Sequence, residues 1–348
     1  YLNNSLLKLK YLTIFILMIF MIQIPESTKI NPINIHVANN TFNIYEWEIK
    51  NITNIIVNEL NQNKSHQPDE SNEIKIIIEN EIKKNNILIF NKFLFPKLRF
   101  KLDNTPNILI ISPTNEIKLT YSILLKQNLT IEEKEIIENQ IEKNFNVSAI
   151  VLKIGGIAFY PSLIPKDMER TKIINNTIHE WLHQYFSLYN LGQNIYKDNK
   201  MLALNETLVS YISEELANNI IINETQSTNI KTKEINSFNS EIRFTRSITD
   251  NLLSKNKIDI AEKFMLLQKN KLNDQGYQIR KINQAYFAFY NSYGNTPQST
   301  NNILSKLICI RTNNAKLNVF VNKLKNVNNF SKFENILNSD IDMKKCVN

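Results

Sequence analysis

The chain has 348 residues and a formal net charge of +8, and hydrophobic residues make up 43% of it. This length allows two or three domains with a substantial core, and the composition is that of a globular protein. Basic and acidic residues alternate along most of the sequence, without an arginine-rich stripe that interleaves aromatic residues, so we expect no nucleic-acid partner.

The N-terminal segment predicts a connection to a membrane. Lys8 and Lys10 precede an almost unbroken apolar run over residues 11–24. A run of this length is typical of a signal-peptide core, whereas a spanning helix usually needs about 20 residues. No small-residue cleavage signal follows, so we expect residues 1–25 to be a signal peptide or an uncleaved transmembrane anchor. The lysines favour a single-pass membrane protein whose main part is extracytoplasmic, or a secreted or periplasmic protein if the segment is cleaved.

Residues 26–150 predict a small α/β region. Its predicted elements are an irregular segment (26–45), a helix (46–62), a loop (63–72), a second helix (73–85) and three β-segments between residues 95 and 125. A further helix is expected after Thr130, because Thr130 and Glu133 have the spacing of a capping box.

Residues 151–225 are predicted to hold an edge strand and two helices, and residues 226–348 form a C-terminal helical region. The strand segments bend at Gly155 and Gly156, two of only five glycines in the chain. Such a low glycine content favours long helices. Predicted helices lie near residues 172–188, 200–221, 238–254, 258–272, 279–290, 301–309 and 314–324. Cys309 and Cys346 match no metal motif and predict either one disulfide or two free thiols.

The stretch "NNTIHEWLHQYF" (175–186) predicts a metal site on a helix. His179 and His183 are one turn apart on the same face, about 6 Å apart at Cβ, so both imidazoles can reach one Zn²⁺. Glu180 projects beside that position, where it can take a proton from metal-bound water. The alternative is a pair of surface or hydrogen-bonded histidines.

A catalytic zinc site needs a third protein ligand. The remaining histidines, His36 and His66, lie in weakly structured sequence and are expected at the surface. We therefore expect a carboxylate from the next helix, where "LALNETLVSYISEEL" (202–216) offers Glu206 directly after Asn205.

H-E-x-x-H followed by N-E on the next helix resembles the gluzincin superfamily of zinc metallopeptidases. The resemblance implies that His179, His183 and Glu206 are zinc ligands and that Glu180 is the general base. Thermolysin-like members carry an aspartate where this chain has Ser210. Glu214 is a possible substitute for that acid or an exposed residue, and it ranks below Glu206 as a ligand; Glu215 is expected to be solvated.

Further stretches over roughly residues 95–300 resemble a group of uncharacterised bacterial membrane-anchored proteins that carry the same motif. The gluzincin resemblance implies that residues 155–162 form a strand that binds substrate backbone, with a buried strand as the alternative. It also implies an oxyanion-stabilising side chain. The candidates are Tyr286, Tyr290, Tyr293 and Arg280.

These observations predict an α+β, predominantly helical fold with an N-terminal anchor, a small mixed sheet and a helical zinc-metallopeptidase domain. The expected function is zinc-dependent hydrolysis of peptide bonds in a peptide or protein substrate, outside the cytoplasmic membrane. The alternative is a non-catalytic envelope scaffold or binding protein that retains a metal site, which Ser210 slightly favours.

Overall fold

The computed structural model describes residues 32–60, 69–90, 92–224 and 232–340. The predicted anchor (residues 1–25), His66 and Cys346 lie outside these ranges. Among the helices within them, none combines the length and apolar character needed to cross a bilayer.

Helices dominate the described chain, as the sequence predicts. They are α1 (Ile33–Val37), α2 (Ile44–Leu60), α3 (Asp69–Lys84), α4 (Ile131–Phe145), α5 (Arg170–Phe186), α6 (Asn190–Gln193), α7 (Asn199–Glu224), α8 (Thr232–Ser254), α9 (Ile258–Asp274), α10 (Gln284–Tyr290), α11 (Ile303–Thr312), α12 (Leu317–Leu324) and α13 (Phe330–Asp340). A 3₁₀ turn over Ala38–Asn40 follows α1. The predicted capping box of Thr130 and Glu133 is present at the start of α4.

The strands form two small sheets. They are β1 (Phe100–Asp103), β2 (Asn107–Pro113), β3 (Tyr121–Leu125), β4 (Val147–Lys153) and β5 (Ser162–Pro165). The strand β2 pairs antiparallel with β3 and β4, so that Ile110 lies opposite Ser122 and Ile150. The strands β1 and β5 pair in parallel. The α+β class is confirmed. The sequence predicted one mixed sheet, whereas the parallel and the antiparallel pairs lie in two separate sheets.

Three local predictions differ from the structure. The predicted irregular segment 26–45 contains the helix α1, which is too short to show an apolar period. Helix α13 was not predicted at all. The predicted helix 279–290 starts only at Gln284, because the Asn283 side chain accepts a hydrogen bond from the backbone N–H of Tyr286 and caps the helix there.

The predicted backbone-binding strand over residues 155–162 is wrong. This segment turns back on itself, since Ile157 N–H donates to the Leu163 carbonyl at 3.0 Å and accepts in return from Leu163 N–H at 3.1 Å. Regular pairing begins only at Ser162, in β5, which is buried along its whole length. The segment is therefore a loop folded against a buried strand, and we call residues 155–161 the glycine loop.

The histidine helix α5 lies in the main hydrophobic core. Trp181, Tyr185 and Phe186 on this helix are almost completely buried, and they belong to the same apolar cluster as residues of α3, α7, α11, α12 and α13. The indole N–H of Trp181 donates to the Pro96 carbonyl at 2.9 Å. Packing of this kind holds α5 in one position and orientation, which fixes the direction of its polar side chains.

A buried ion-pair network connects α4, β4 and the segment before α10. Glu138 is 1% exposed and accepts hydrogen bonds from Val151 N–H at 2.6 Å and from Arg280 Nη1 at 2.8 Å. Lys281 lies 3.5 Å from the same carboxylate. Arg280 is thus engaged in this network, and the network holds the chain that leads into α10.

Replacing Glu138 with alanine is expected to lower the free energy of unfolding by about 3–5 kcal/mol, because the change leaves Arg280 partly buried without its counter-charge. Chemical denaturation followed by circular dichroism measures the loss. Glu132→Ala, at an exposed carboxylate in the first turn of the same helix, should have a much smaller effect. Equal effects of the two changes would contradict a structural role for the network.

Candidate metal centre

Two packed helices supply the three side chains of the predicted site. His179 and His183 project from α5, and Glu206 projects from α7, which packs against α5. The buried residues Leu204 and Leu208 flank Glu206 on α7 and hold that helix in the core. The side chains of the three polar residues are only 13–15% exposed.

The candidate ligand atoms converge on one point. His179 Nε2 and His183 Nε2 are 3.0 Å apart, and they lie 3.5 Å and 3.4 Å from Glu206 Oε2. Ligands at about 2.05 Å from a tetrahedral Zn²⁺ are separated from one another by about 3.3 Å. The observed triangle therefore has the size of one face of such a coordination sphere. Among the described residues, His179, His183 and Glu206 are the group of metal-ligating side chains placed closely enough to hold a metal ion.

The electrostatics of the cluster favour a positive charge at its centre. Oε2 of Glu206 is buried and has no hydrogen-bond partner. Burial works against ionisation of Glu206, but the two imidazoles outweigh it and lower the pKa of Glu206. Burial likewise lowers the pKa of His183, but Glu206 and Glu180 outweigh it and raise that pKa to about 9. Two imidazole nitrogens and a carboxylate oxygen suit Zn²⁺ and other divalent transition metals.

Glu180 lies beside the cluster, under the glycine loop. A Cβ built on Gly156 would be 2.5 Å from Oε1 of Glu180, so only glycine allows the backbone to approach this carboxylate so closely. The loop is held by Asn176, whose amide donates to the Gly155 carbonyl at 2.7 Å, and by Gln184, whose amide donates to the Phe159 carbonyl and also to Ser162 Oγ in β5. Burial raises the pKa of Glu180, against the opposing effect of the imidazoles.

Two tyrosines feel the charge of the same carboxylates. Burial raises the pKa of Tyr293, with further contributions from Glu206 and Glu180. Burial of the hydroxyl also raises the pKa of Tyr196, and the same two carboxylates add to it, although 59% of the residue is exposed. Tyr293 was among the candidates predicted from the sequence, whereas Tyr196, which lies in a loop without a periodic pattern, was not.

The other candidates for oxyanion stabilisation have structural partners. The Tyr286 hydroxyl accepts a hydrogen bond from Gln298 at 2.8 Å and is buried. Arg280 belongs to the Glu138 network. Tyr290 packs against Tyr286 with ring centroids 4.9 Å apart. Tyr293 is therefore the one of the four candidates that the carboxylates of the cluster influence.

The residues around Glu206 differ in part from the predictions. Oδ1 of Asn205 is buried and has no hydrogen-bond partner with good geometry. The side chain nevertheless lies close enough to His183 to contribute to the raised pKa of that imidazole. Glu214 accepts a hydrogen bond from Asn295 at 2.6 Å. The prediction that Glu215 is solvated is wrong, since Arg311 binds its two carboxylate oxygens at 2.6 and 3.0 Å.

The remaining predicted residues lie apart from the cluster. His36 is exposed on α1, and its ring contacts Phe145. Cys309 is buried on α11 and disulfide-bonded, whereas Cys346 lies outside the described residues.

Comparison of the chain with protein-family models, with curated proteins and with solved structures finds no match. The gluzincin resemblance therefore stays a prediction that rests on the motif residues.

The protein is expected to bind one divalent cation per chain. Each ligand supplies one of three donor atoms. Changing a residue that only supports a ligand typically weakens metal binding by roughly 10–100-fold. We therefore expect a larger loss of Zn²⁺ affinity in His183→Ala or Glu206→Ala. Mass spectrometry of metal content and titration calorimetry measure this. His36→Ala serves as a matched histidine control, and an equal loss in that variant would contradict the assigned ligand set.

Cation binding near neutral pH is expected to release a proton. The pKa of about 9 means that His183 carries a proton at pH 7 that a cation must displace. Affinity should therefore rise with pH by up to about tenfold per unit until about pH 9. Calorimetry in two buffers with different ionisation enthalpies reports the proton directly. An affinity that does not change between pH 7 and pH 9 would contradict the coupling.

Proposed function

We propose that the protein is a zinc-dependent hydrolase of peptide bonds that acts outside the cytoplasmic membrane, with residues 1–25 as its anchor or signal. One observation carries the proposal. Three ligand atoms on α5 and α7 converge within 3.5 Å of one another, and a second acidic side chain, the buried Glu180, lies beside them. The resemblance to gluzincins supports peptides as the substrate class.

The side chains around the cluster can perform the proton transfers of hydrolysis. A bound divalent cation would polarise a substrate carbonyl and lower the pKa of a water molecule. The Glu180 carboxylate accepts a proton from the attacking water and donates it to the leaving amine. Its raised pKa favours holding that proton between the two transfers.

The two tyrosines fit the developing negative charge on the substrate oxygen. Because the pKa values of Tyr196 and Tyr293 are raised, both hydroxyls stay protonated and can donate hydrogen bonds to an oxyanion. Tyr293 is held near Glu206 by its neighbour Gly294, whose N–H donates to Thr207 Oγ1 at 2.8 Å.

The alternative function is a non-catalytic envelope scaffold with a metal site. Its support is Ser210, which stands where thermolysin-like enzymes carry an acid that orients a ligand histidine. In this interpretation the cation stabilises the contact between α5 and α7 and does not turn over substrate.

Glu180→Gln is expected to lower peptide cleavage by about 10²–10⁴-fold while metal content stays unchanged, because the amide keeps the shape of the side chain but accepts no proton. The measurement combines cleavage of a fluorogenic peptide library with mass spectrometry of bound metal.

Glu169→Gln is the matched control, since Glu169 is an exposed carboxylate just before the same helix. Full loss in this control would indicate a general effect of charge. A wild-type protein that binds Zn²⁺ stoichiometrically but cleaves no member of the library would reject the hydrolase and favour the scaffold.

A further inference from the structure

Glu214 presents a carboxylate on the same helix as Glu206, two turns further along. This spacing is about 12 Å along the helix axis. His179 is near enough to affect the ionisation of Glu214. At about 3.5 Å per extended residue, the spacing along the helix corresponds to about three peptide residues between Glu214 and the ligand cluster.

The loop over residues 293–295 contacts α7 next to Glu206 and again at Glu214. Gly294 N–H donates to Thr207 Oγ1 at 2.8 Å, and Asn295 donates from its amide to Glu214 Oε1 at 2.6 Å. Tyr293 is near enough to Glu206 and Glu180 for both carboxylates to contribute to its raised pKa. The loop and α7 together line one side of the site, and Glu214 is at the far end of that lining.

Glu214 has no cationic partner in the part of the chain that the structure describes. No lysine or arginine there lies within ion-pair distance of it, whereas the adjacent Glu215 is bound by Arg311. A second observation points the same way: Oδ1 of Asn295 is buried and lacks a hydrogen-bond donor. Buried acceptors are usually satisfied, and an ammonium group carries three donors.

Glu214 is exposed to solvent, so a substrate group can reach its carboxylate. A substrate with a positive charge near the scissile bond would pair with this carboxylate.

We infer that Glu214, oriented by Asn295, is a specificity-determining residue that receives a primary ammonium group of the substrate about three residues from the scissile bond. The inference rests on the proposed peptide hydrolysis. The ammonium is either the α-amino group of a free N-terminus or the side chain of a lysine, and the two sources share the same chemistry at Glu214.

Matched peptides test the inference. One pair differs only by lysine or norleucine near the cleaved bond, with the N-terminus acetylated, and a second pair differs only in whether a neutral peptide is acetylated. The wild-type protein should cleave one or both ammonium-bearing peptides about 10–100-fold more efficiently in kcat/KM than their neutral partners, as expected for a charge-assisted hydrogen bond. The pair that shows the preference identifies the source.

Glu214→Gln should remove this preference by raising KM for the ammonium-bearing peptide, with cleavage of the neutral peptide and metal content unchanged. Glu215→Gln is the matched control on the adjacent position and should keep the preference. A binding measurement avoids turnover: metal-loaded Glu180→Gln protein should bind the lysine or free-amine peptide more tightly in calorimetry, and the added Glu214→Gln change should abolish the difference.

Equal cleavage and binding of cationic and neutral peptides by the wild-type protein would overturn the inference and leave the proposed hydrolysis standing. A preference that survives in Glu214→Gln would overturn it as well. If the wild-type protein cleaves no peptide, the proposed function fails. The inference fails as well if calorimetry then shows no difference in affinity between cationic and neutral peptides.

Discussion

The site depends on one physical constraint, which is the burial of two imidazoles and a carboxylate within 3.5 Å of one another. Burying polar groups without partners is costly. A proton on His183 pairs that ring with Glu206 Oε2 at 3.4 Å, but this single proton does not reach full hydrogen-bond geometry at Oε2. A divalent cation would satisfy all three groups at once. The apolar packing of α5 against α7 keeps the three groups together without a cation. The arrangement is therefore part of the core and does not depend on a flexible loop.

Glycines set the distances around this cluster by allowing close approach of the backbone. Gly156 lies against the Glu180 carboxylate, Gly192 lies against the backbone of Phe186 where the chain turns from α5 toward α7, and Gly294 lies against the Thr207 side chain. The chain has only five glycines. None of these three has the positive φ that would require glycine, so steric room explains them. A side chain at any of them would move the base, the helix connection or the loop that carries Tyr293.

The sequence predicted the elements that bear the ligands and failed where contacts are non-local. A periodic helix with H-E-x-x-H, followed by N-E at the next helix start, placed His179, His183 and Glu206 correctly in one cluster. The glycine loop was predicted as a strand because alternating apolar residues resemble one, and only the contact between Ile157 and Leu163 reveals the turn. Tyr196 lies outside any periodic pattern, and the pairing of Glu215 with Arg311 joins residues far apart in the chain. Spacing alone could therefore find neither of them.

The number of ligands bears on what the site can do. Structural zinc sites usually have four protein ligands, whereas catalytic sites have three and keep one position for water or substrate. Among the described residues the cluster supplies three. The side chains near it include the buried carboxylate of Glu180 and two tyrosine hydroxyls, which in the proposed function would transfer or donate protons. A metal retained only to brace α5 against α7 would not need a carboxylate such as that of Glu180, which is fitted against a glycine beside the cluster, and this feature favours hydrolysis over the scaffold.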